Sequence, residues 1–357
     1  MSVLRTFGWS IGVTVTVLAA ALLSWGPQGL GSVAVLGVLE VSLSFDNAVI
    51  NATVLRRMNA FWQRMFLTVG ILIAVFGMRL VLPLLVVAAA TRLGPGAVLD
   101  LAISEPAAYA EHLHRAHPAI ASFGGMFLLM IALDFFLAPR EIRWLKPFEQ
   151  PLARLGRFDR LAVLVALSVL AVAAMALAGD AVTTVLVSGL LGLLSYLVVR
   201  GLSAHFEQRD GGGASAAGRA GLFLFLYLEV LDASFSFDGV VGAFAISQNV
   251  FQIALGLGIG AMFIRSLTVQ LVRKGVLDDY VYLEHGAHYA IGALALILLL
   301  TIRYAVPQAV TSGVGVAFIL AAFLSSLSRN RRVAASRPGG GRGGLVRSGG
   351  GGAGGGR

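Results

Sequence analysis

The 357-residue chain is 57% hydrophobic and only 13% charged, with a mean hydropathy of +0.85, where an average soluble domain carries about 25% charged residues. That balance excludes a water-soluble globular fold. Zero cysteines exclude disulfides, thiolate metal sites and cysteine nucleophiles, and the net charge of +9 does not indicate nucleic acid, because the basic residues gather in loops and in the tail.

Apolar runs of about 18 or more residues recur along the chain, each able to cross the bilayer as a helix. The predicted fold is an all-α polytopic transmembrane bundle of ten spans, near 8–26, 29–50, 65–90, 119–138, 160–178, 181–199, 219–246, 250–272, 286–304 and 306–327. Residues 1–28 form a first transmembrane helix, read as uncleaved. Residues 29–138 form a first repeat of three spans with an outside loop, and 139–218 a connecting helical hairpin with basic loops. Residues 219–304 form a second, inverted repeat, 305–328 a last helix, and 329–357 a disordered Gly/Arg-rich tail. With the N-terminus cytoplasmic, 22 of the 27 basic residues fall on the inside, which predicts both termini cytoplasmic.

The second span holds Glu40-Val-Ser42-Leu-Ser44-Phe-Asp46-Asn47, and the seventh holds Asp232-Ala-Ser234-Phe-Ser236-Phe-Asp238-Gly239. Both read acid-x-Ser-x-Ser-Phe-Asp, and each is followed by an apolar span with one arginine near its middle, Arg79 and Arg265. Four spans intervene between the copies, so the repeats are inverted, a plan in which transporters place the substrate site near the midplane between the two halves. Carboxylates inside spans cost on the order of 2.5–3.5 kcal/mol each and usually mark a pathway. Glu40, Asp46, Asp232 and Asp238 supply four negative charges against two arginines, a surplus that matches one divalent cation or two protons.

On a regular helix Glu40 and Asp46 lie about 120° apart, so unwinding near Ser44 is expected to swing Asp46 inward. Carboxylates, the Asn47 amide, Ser42 and Ser234 hydroxyls and freed carbonyls are hard oxygen donors suited to Mn²⁺, Mg²⁺ or Ca²⁺. Ser44, Ser236, Glu229, His285 and His288 are accessory ligand or proton-carrier candidates. Packing and a protonated spectator are the alternative roles for the histidines and for Glu229. Asp134 reads as interfacial, and Glu111, His112, His114 and His117 read as a solvated outside loop. The glycines of LGLGIGAM read as helix packing, with no nucleotide motif to supply ATP.

The paired motifs EVSLSFDNAV and DASFSFDGVV resemble those of the TerC family of membrane proteins over roughly residues 30–300. The resemblance implies inverted three-helix repeats, export of a divalent cation, foremost Mn²⁺, a bacterial plasma membrane, and ligand roles for Glu40, Asp46, Asn47, Asp232 and Asp238. The second copy departs from the family pattern: Asp238-Gly239 stands where Asp-Ser is usual, so one side-chain oxygen is lost.

The expectation is therefore a non-enzymatic secondary exporter with no permanent cofactor, the divalent cation as substrate and protons as candidate counter-ion. Its partners are the lipid bilayer and its own ion, with no nucleic acid; homo-oligomerisation is left open. The competing readings are a membrane scaffold of a metal or tellurite stress-response complex without transport, and an intramembrane aspartyl protease. The second is weakened by the lack of a GxGD signature.

Overall fold

A computed structural model of the chain describes residues 3–156, 160–209 and 214–336. The described residues form a helical bundle without strands. In chain order its helices are α1 (Val3–Leu43), α2 (Phe45–Leu55), α3 (Ala60–Leu67), α4 (Val69–Leu72), a π-helical segment (Ile73–Val81), α5 (Leu82–Thr91), α6 (Pro95–Ser104) and α7 (Pro106–Leu137). There follow α8 (Lys146–Leu155), α9 (Leu161–Leu177), α10 (Val182–Arg209), α11 (Ala214–Ala243), α12 (Val250–Arg273), α13 (Val276–Asp279), α14 (Leu283–Leu300) and α15 (Gln308–Ser336). Among the described residues seven helical stretches are long and apolar enough to cross a membrane, which makes the chain a multi-pass bundle in lipid.

The first of these stretches is two arms. Ser10 Oγ lies 2.8 Å from Ser266 Oγ on α12, while Glu40 lies against Gly260 of the same helix. Thirty residues of straight helix would separate those levels by about 45 Å, yet 260 and 266 are only about 9 Å apart along α12. The chain must reverse between them, and it does so at Gly26, whose φ 69, ψ −165 is open only to a residue without a Cβ. Pro27 then opens the second arm with φ preset and no N–H to leave unbonded. The reversal falls between the first two expected spans.

α7 and α12 make the inside of the bundle and are largely buried, whereas the arms of α1 and helices α10 and α15 present apolar side chains outward, as lipid-facing helices do. The main core joins α7, α9, α10 and α14 around Phe127, Met130, Leu170, Leu193 and Ile291. A second core gathers α5, α6, α7, α11 and α12 around Tyr109, Phe237 and Phe244.

Two expectations need correction. Residues 95–117, expected to be a solvated outside loop, are helical: Pro95 and Pro106 each occupy a first turn, where a missing N–H costs nothing, and the Ala/Leu/Glu-rich run between them and Pro118 favours helix. Residues 329–336, expected to be disordered, are helical, because Arg329-Asn-Arg-Arg-Val-Ala-Ala-Ser336 continues α15 with residues that favour a helix. The rest of that tail, 337–357, lies outside the described residues.

Candidate ion site between the two motif-bearing halves

The first motif breaks its helix where expected. α1 ends at Leu43 and α2 begins at Phe45, with Ser44 between them at φ −104, ψ 16. Asp46 thereby sits in the first turn of a new helix, where unbonded N–H groups and the helix dipole favour a carboxylate. Its side chain is buried against α15: a Cβ on Gly315 would fall 2.1 Å from Asp46 Oδ2. The second motif behaves differently, since α11 runs unbroken through Ser236 and Gly239. The Asp238 side chain lies outside the described residues.

Each half supplies its own ion pair. Arg79 Nη2 donates to Glu40 Oε1, both groups being almost fully buried, and Arg79 Nη1 donates to the Ala74 carbonyl at 2.6 Å. Arg79 lies in the π-helical segment, whose wider turn re-aims side chains away from the positions a 3.6-residue period would give them. In the second half Arg265 holds two acids, its Nη1 and Nη2 donating to Glu229 at 3.2 and 3.1 Å and its Nη2 to Asp232 at 3.1 Å. Glu229, read from sequence as a third acid on the pathway, is thus the forked partner of this guanidinium. The position matching it in the first copy is Gly37.

The pairs are seated reciprocally. A Cβ on Gly260 of α12 would lie 2.3 Å from Cβ and Cγ of Glu40, so the first half's acid rests on the second half's helix. A Cβ on Gly70 of α4 would lie 2.3 Å from Arg265 Nη1 and 3.0 Å from Glu229 Oε1, so the second half's pair rests on the first half's helix. Arg265 also donates to the Phe66 carbonyl at 3.2 Å and stacks over that ring at 4.2 Å.

The motifs themselves meet through Glu40. Its Oε2 lies 3.4 Å from where a Gly239 Cβ would be, and Gln308 Nε2 lies 3.5 Å from the same point. Gln308 also lines a cavity of about 390 Å³ with His114, His117, Arg303, Tyr304 and Thr311. A route from that cavity to Glu40 and the residue after Asp238 therefore passes one amide. Gln308 was not read from the sequence; the only cue was an amide opening an apolar span.

Asn47 is buried, and so is Asn51 one turn later. Neither amide atom of Asn51 has a hydrogen-bond partner, a rare condition for a group 1% exposed. Its i, i+4 spacing from Asn47 was the signal that sequence reading passed over.

The serines divide. Ser44 and Ser236 are buried, and Ser234 is buried with its hydroxyl donating to Val230 O at 2.9 Å. Ser42 is exposed and donates back to Val38 O at 2.8 Å, so the expected donor points out of the bundle; a regular helix up to Leu43 fixes that direction. The histidines of α14 sit in packing. His288 Nδ1 lies 2.7 Å from Glu284 O with its ring stacked 3.7 Å from Phe135, and His285 Nε2 lies 2.9 Å from Ile142 O. Asp134 accepts from Tyr196 Oη and pairs with Arg200 at one end of the bundle.

Among the described residues no group of three or more His, Asp or Glu side chains could hold a metal ion. Glu40 and Asp232 are committed to arginines, and no ion pair reaches Asp46 among the described residues. A family model described as a protein of unknown function, DUF475, matches residues 45–333. No curated protein and no solved structure matches the chain.

Proposed function

Given that the chain belongs to the DUF475 family of proteins of unknown function, we propose that it is a secondary transporter exporting a divalent cation, Mn²⁺ foremost, through carboxylates where its two motif-bearing halves meet. One observation carries the reading. Glu40, Asp46, Glu229 and Asp232 are buried inside the apolar helical bundle beside the two buried arginines, Arg79 and Arg265. A purely structural charge network would be expected to balance. An excess of buried carboxylate is costly in lipid and is retained where an ion passes.

In this reading the arginine-held acids Glu40 and Asp232 form the fixed wall of the site. Asp46 and Asp238 are the exchangeable ligands, with Asn47 and Asn51 as neutral oxygen donors. The two exchangeable carboxylates, Asp46 and Asp238, balance one divalent ion or two protons, so trading one for the other keeps the buried charge constant, as cation/proton exchange requires. Hard oxygen ligands select Mn²⁺, Mg²⁺ or Ca²⁺ over softer metals. The resemblance of both motifs to the TerC family supports Mn²⁺ among these, and export as the direction. The cavity bounded by His114, His117, Arg303 and Gln308 would be the mouth on the side predicted to face outward.

Purified protein in liposomes loaded with a manganese-sensitive dye, under an imposed proton gradient, tests the proposal. Wild type is expected to pass Mn²⁺, and Asp46→Asn and Asp238→Asn each to abolish the signal while still eluting as folded protein. If well-folded wild type moves none of Mn²⁺, Mg²⁺ or Ca²⁺, the transporter reading is wrong and the membrane-scaffold reading takes its place.

A further inference from the structure

A second cavity, of about 360 Å³, opens between α2, α10, α11 and α14, away from the motif acids. Its polar wall is built from Arg57, Arg200, Tyr196, Tyr227, Thr53 and His288, and Val199, Phe223 and Leu224 supply an apolar wall. Arg57 comes just after α2 ends, and Arg200 is the first charged residue after the apolar run 182–199 of α10. Both guanidiniums thus stand where an apolar span gives way to charge, the depth at which lipid phosphates lie. Tyrosines concentrate at that same level.

The local charge favours an anion. Arg57 Nη2 donates to Glu284 Oε1 at 2.9 Å, but Glu284 is shared with Arg56 and with Arg140 at 3.6 Å. Asp134 takes the remaining arginine, Arg200, and orients Tyr196 beside it. Four arginines therefore face two carboxylates, since Asp278, the other partner of Arg56, projects into solvent. Arg57 and Arg200 each remain about half exposed, with N–H groups to spare. Two planar guanidiniums, one just after α2 and one on α10, lining the same cavity as the tyrosine hydroxyls, suit the oxygens of a phosphate, which accept forked donors.

We propose that this cavity is a binding site for the phosphate of an anionic phospholipid head group. Three features favour a lipid over a free phosphate: the cavity exceeds what the ion alone needs, one wall is apolar, and the site lies at the membrane surface. Basic pockets between membrane helices on the side rich in anionic lipid are where such head groups lodge. The basic loops place this cavity on that side.

The protein, purified and progressively delipidated, is examined by native mass spectrometry after exposure to phosphatidylglycerol, phosphatidylcholine or inorganic phosphate. Both lipids carry the same phosphodiester, but choline adds a quaternary ammonium that the two guanidiniums repel, so phosphatidylglycerol is expected to be retained at least roughly tenfold more strongly than phosphatidylcholine, about 1.4 kcal/mol. The double variant Arg57→Gln/Arg200→Gln is expected to lose that preference, whereas Arg115→Gln, at an exposed pair with Glu111 elsewhere on the molecule, keeps it. Arg57→Lys/Arg200→Lys, which preserves charge without the fork, is expected to fall between them, and its elution profile guards against misfolding. Undiminished retention in the Gln double variant, or equal retention of both lipids by wild type, overturns the site. Displacement of phosphatidylglycerol by equimolar inorganic phosphate overturns the lipid as its occupant.

Discussion

Replacing Gly260 by alanine puts a methyl group where Glu40 already stands. The new Cβ would lie 2.3 Å from Glu40 Cβ and Cγ and 3.2 Å from the Gly37 carbonyl oxygen, so the intruded atoms belong to the stem of the side chain and to backbone, neither of which can swing aside. Overpacking of this kind costs about 1–3 kcal/mol. Alanine in place of glycine in a helix gives back roughly 0.5–1 kcal/mol. If α1 is pushed far enough to part Glu40 from Arg79, stranding a buried charge adds about 3–5 kcal/mol. Gly12→Ala and Gly31→Ala, on the same two arms with nothing near the new methyl, isolate the helix gain and are expected to be neutral or stabilising. Thermal unfolding in detergent, read by tryptophan fluorescence, compares the three, at roughly 2 °C per kcal/mol for a chain of this size. Gly260→Ala melting at or above wild type would refute the seating of Glu40 on α12.

The two arginines are predicted to rank. Arg265→Gln strands Glu229 and Asp232, whereas Arg79→Gln strands Glu40 alone, and each abandoned buried charge costs about 3–5 kcal/mol. Arg265→Gln should therefore give the lower melting temperature and folded yield, and the opposite order would show that Glu229 is not held by Arg265. Because the chain has no cysteine, single-cysteine labelling needs no background removal. In intact cells a membrane-impermeant maleimide should label Thr311→Cys, in the cavity beside Gln308, and should reach Arg64→Cys only after permeabilisation. The reverse pattern would invert the orientation.

Much of this arrangement was legible in the residues. The duplicated acid-x-Ser-x-Ser-Phe-Asp stretch marked the elements that meet, and one arginine per following span marked the partners. Trp25-Gly26-Pro27 carried the reversal, since glycine and proline there allow what no other pair does. What stayed hidden depends on geometry that spacing does not encode. The break at Ser44 was foreseen, but nothing in the spacing tells that α11 runs unbroken through the matching stretch of the second copy. The π-helical segment around Arg79 removes the 3.6-residue period from which a facing would be read. Glu229 sits one turn before Asp232, but only the fold shows both carboxylates gathered by one guanidinium. Residues 95–117 looked like a loop because charge and histidine interrupt the apolar pattern, although alanine and leucine still favour helix there.

The reciprocal seating of the two ion pairs constrains how the halves can move. Gly260 and Gly70 offer bare backbone to a charge from the opposite half, and the residues one turn further along the same faces, Ile264 and Ala74, carry side chains. A slide of one half along the other by one turn in that direction would bring a branched chain against Glu40 or a methyl against Arg265. Each glycine therefore works as a detent. Because each half holds the other's charge, leaving one notch in that direction means leaving both. Two halves seated this way would part by releasing both notches in the same event.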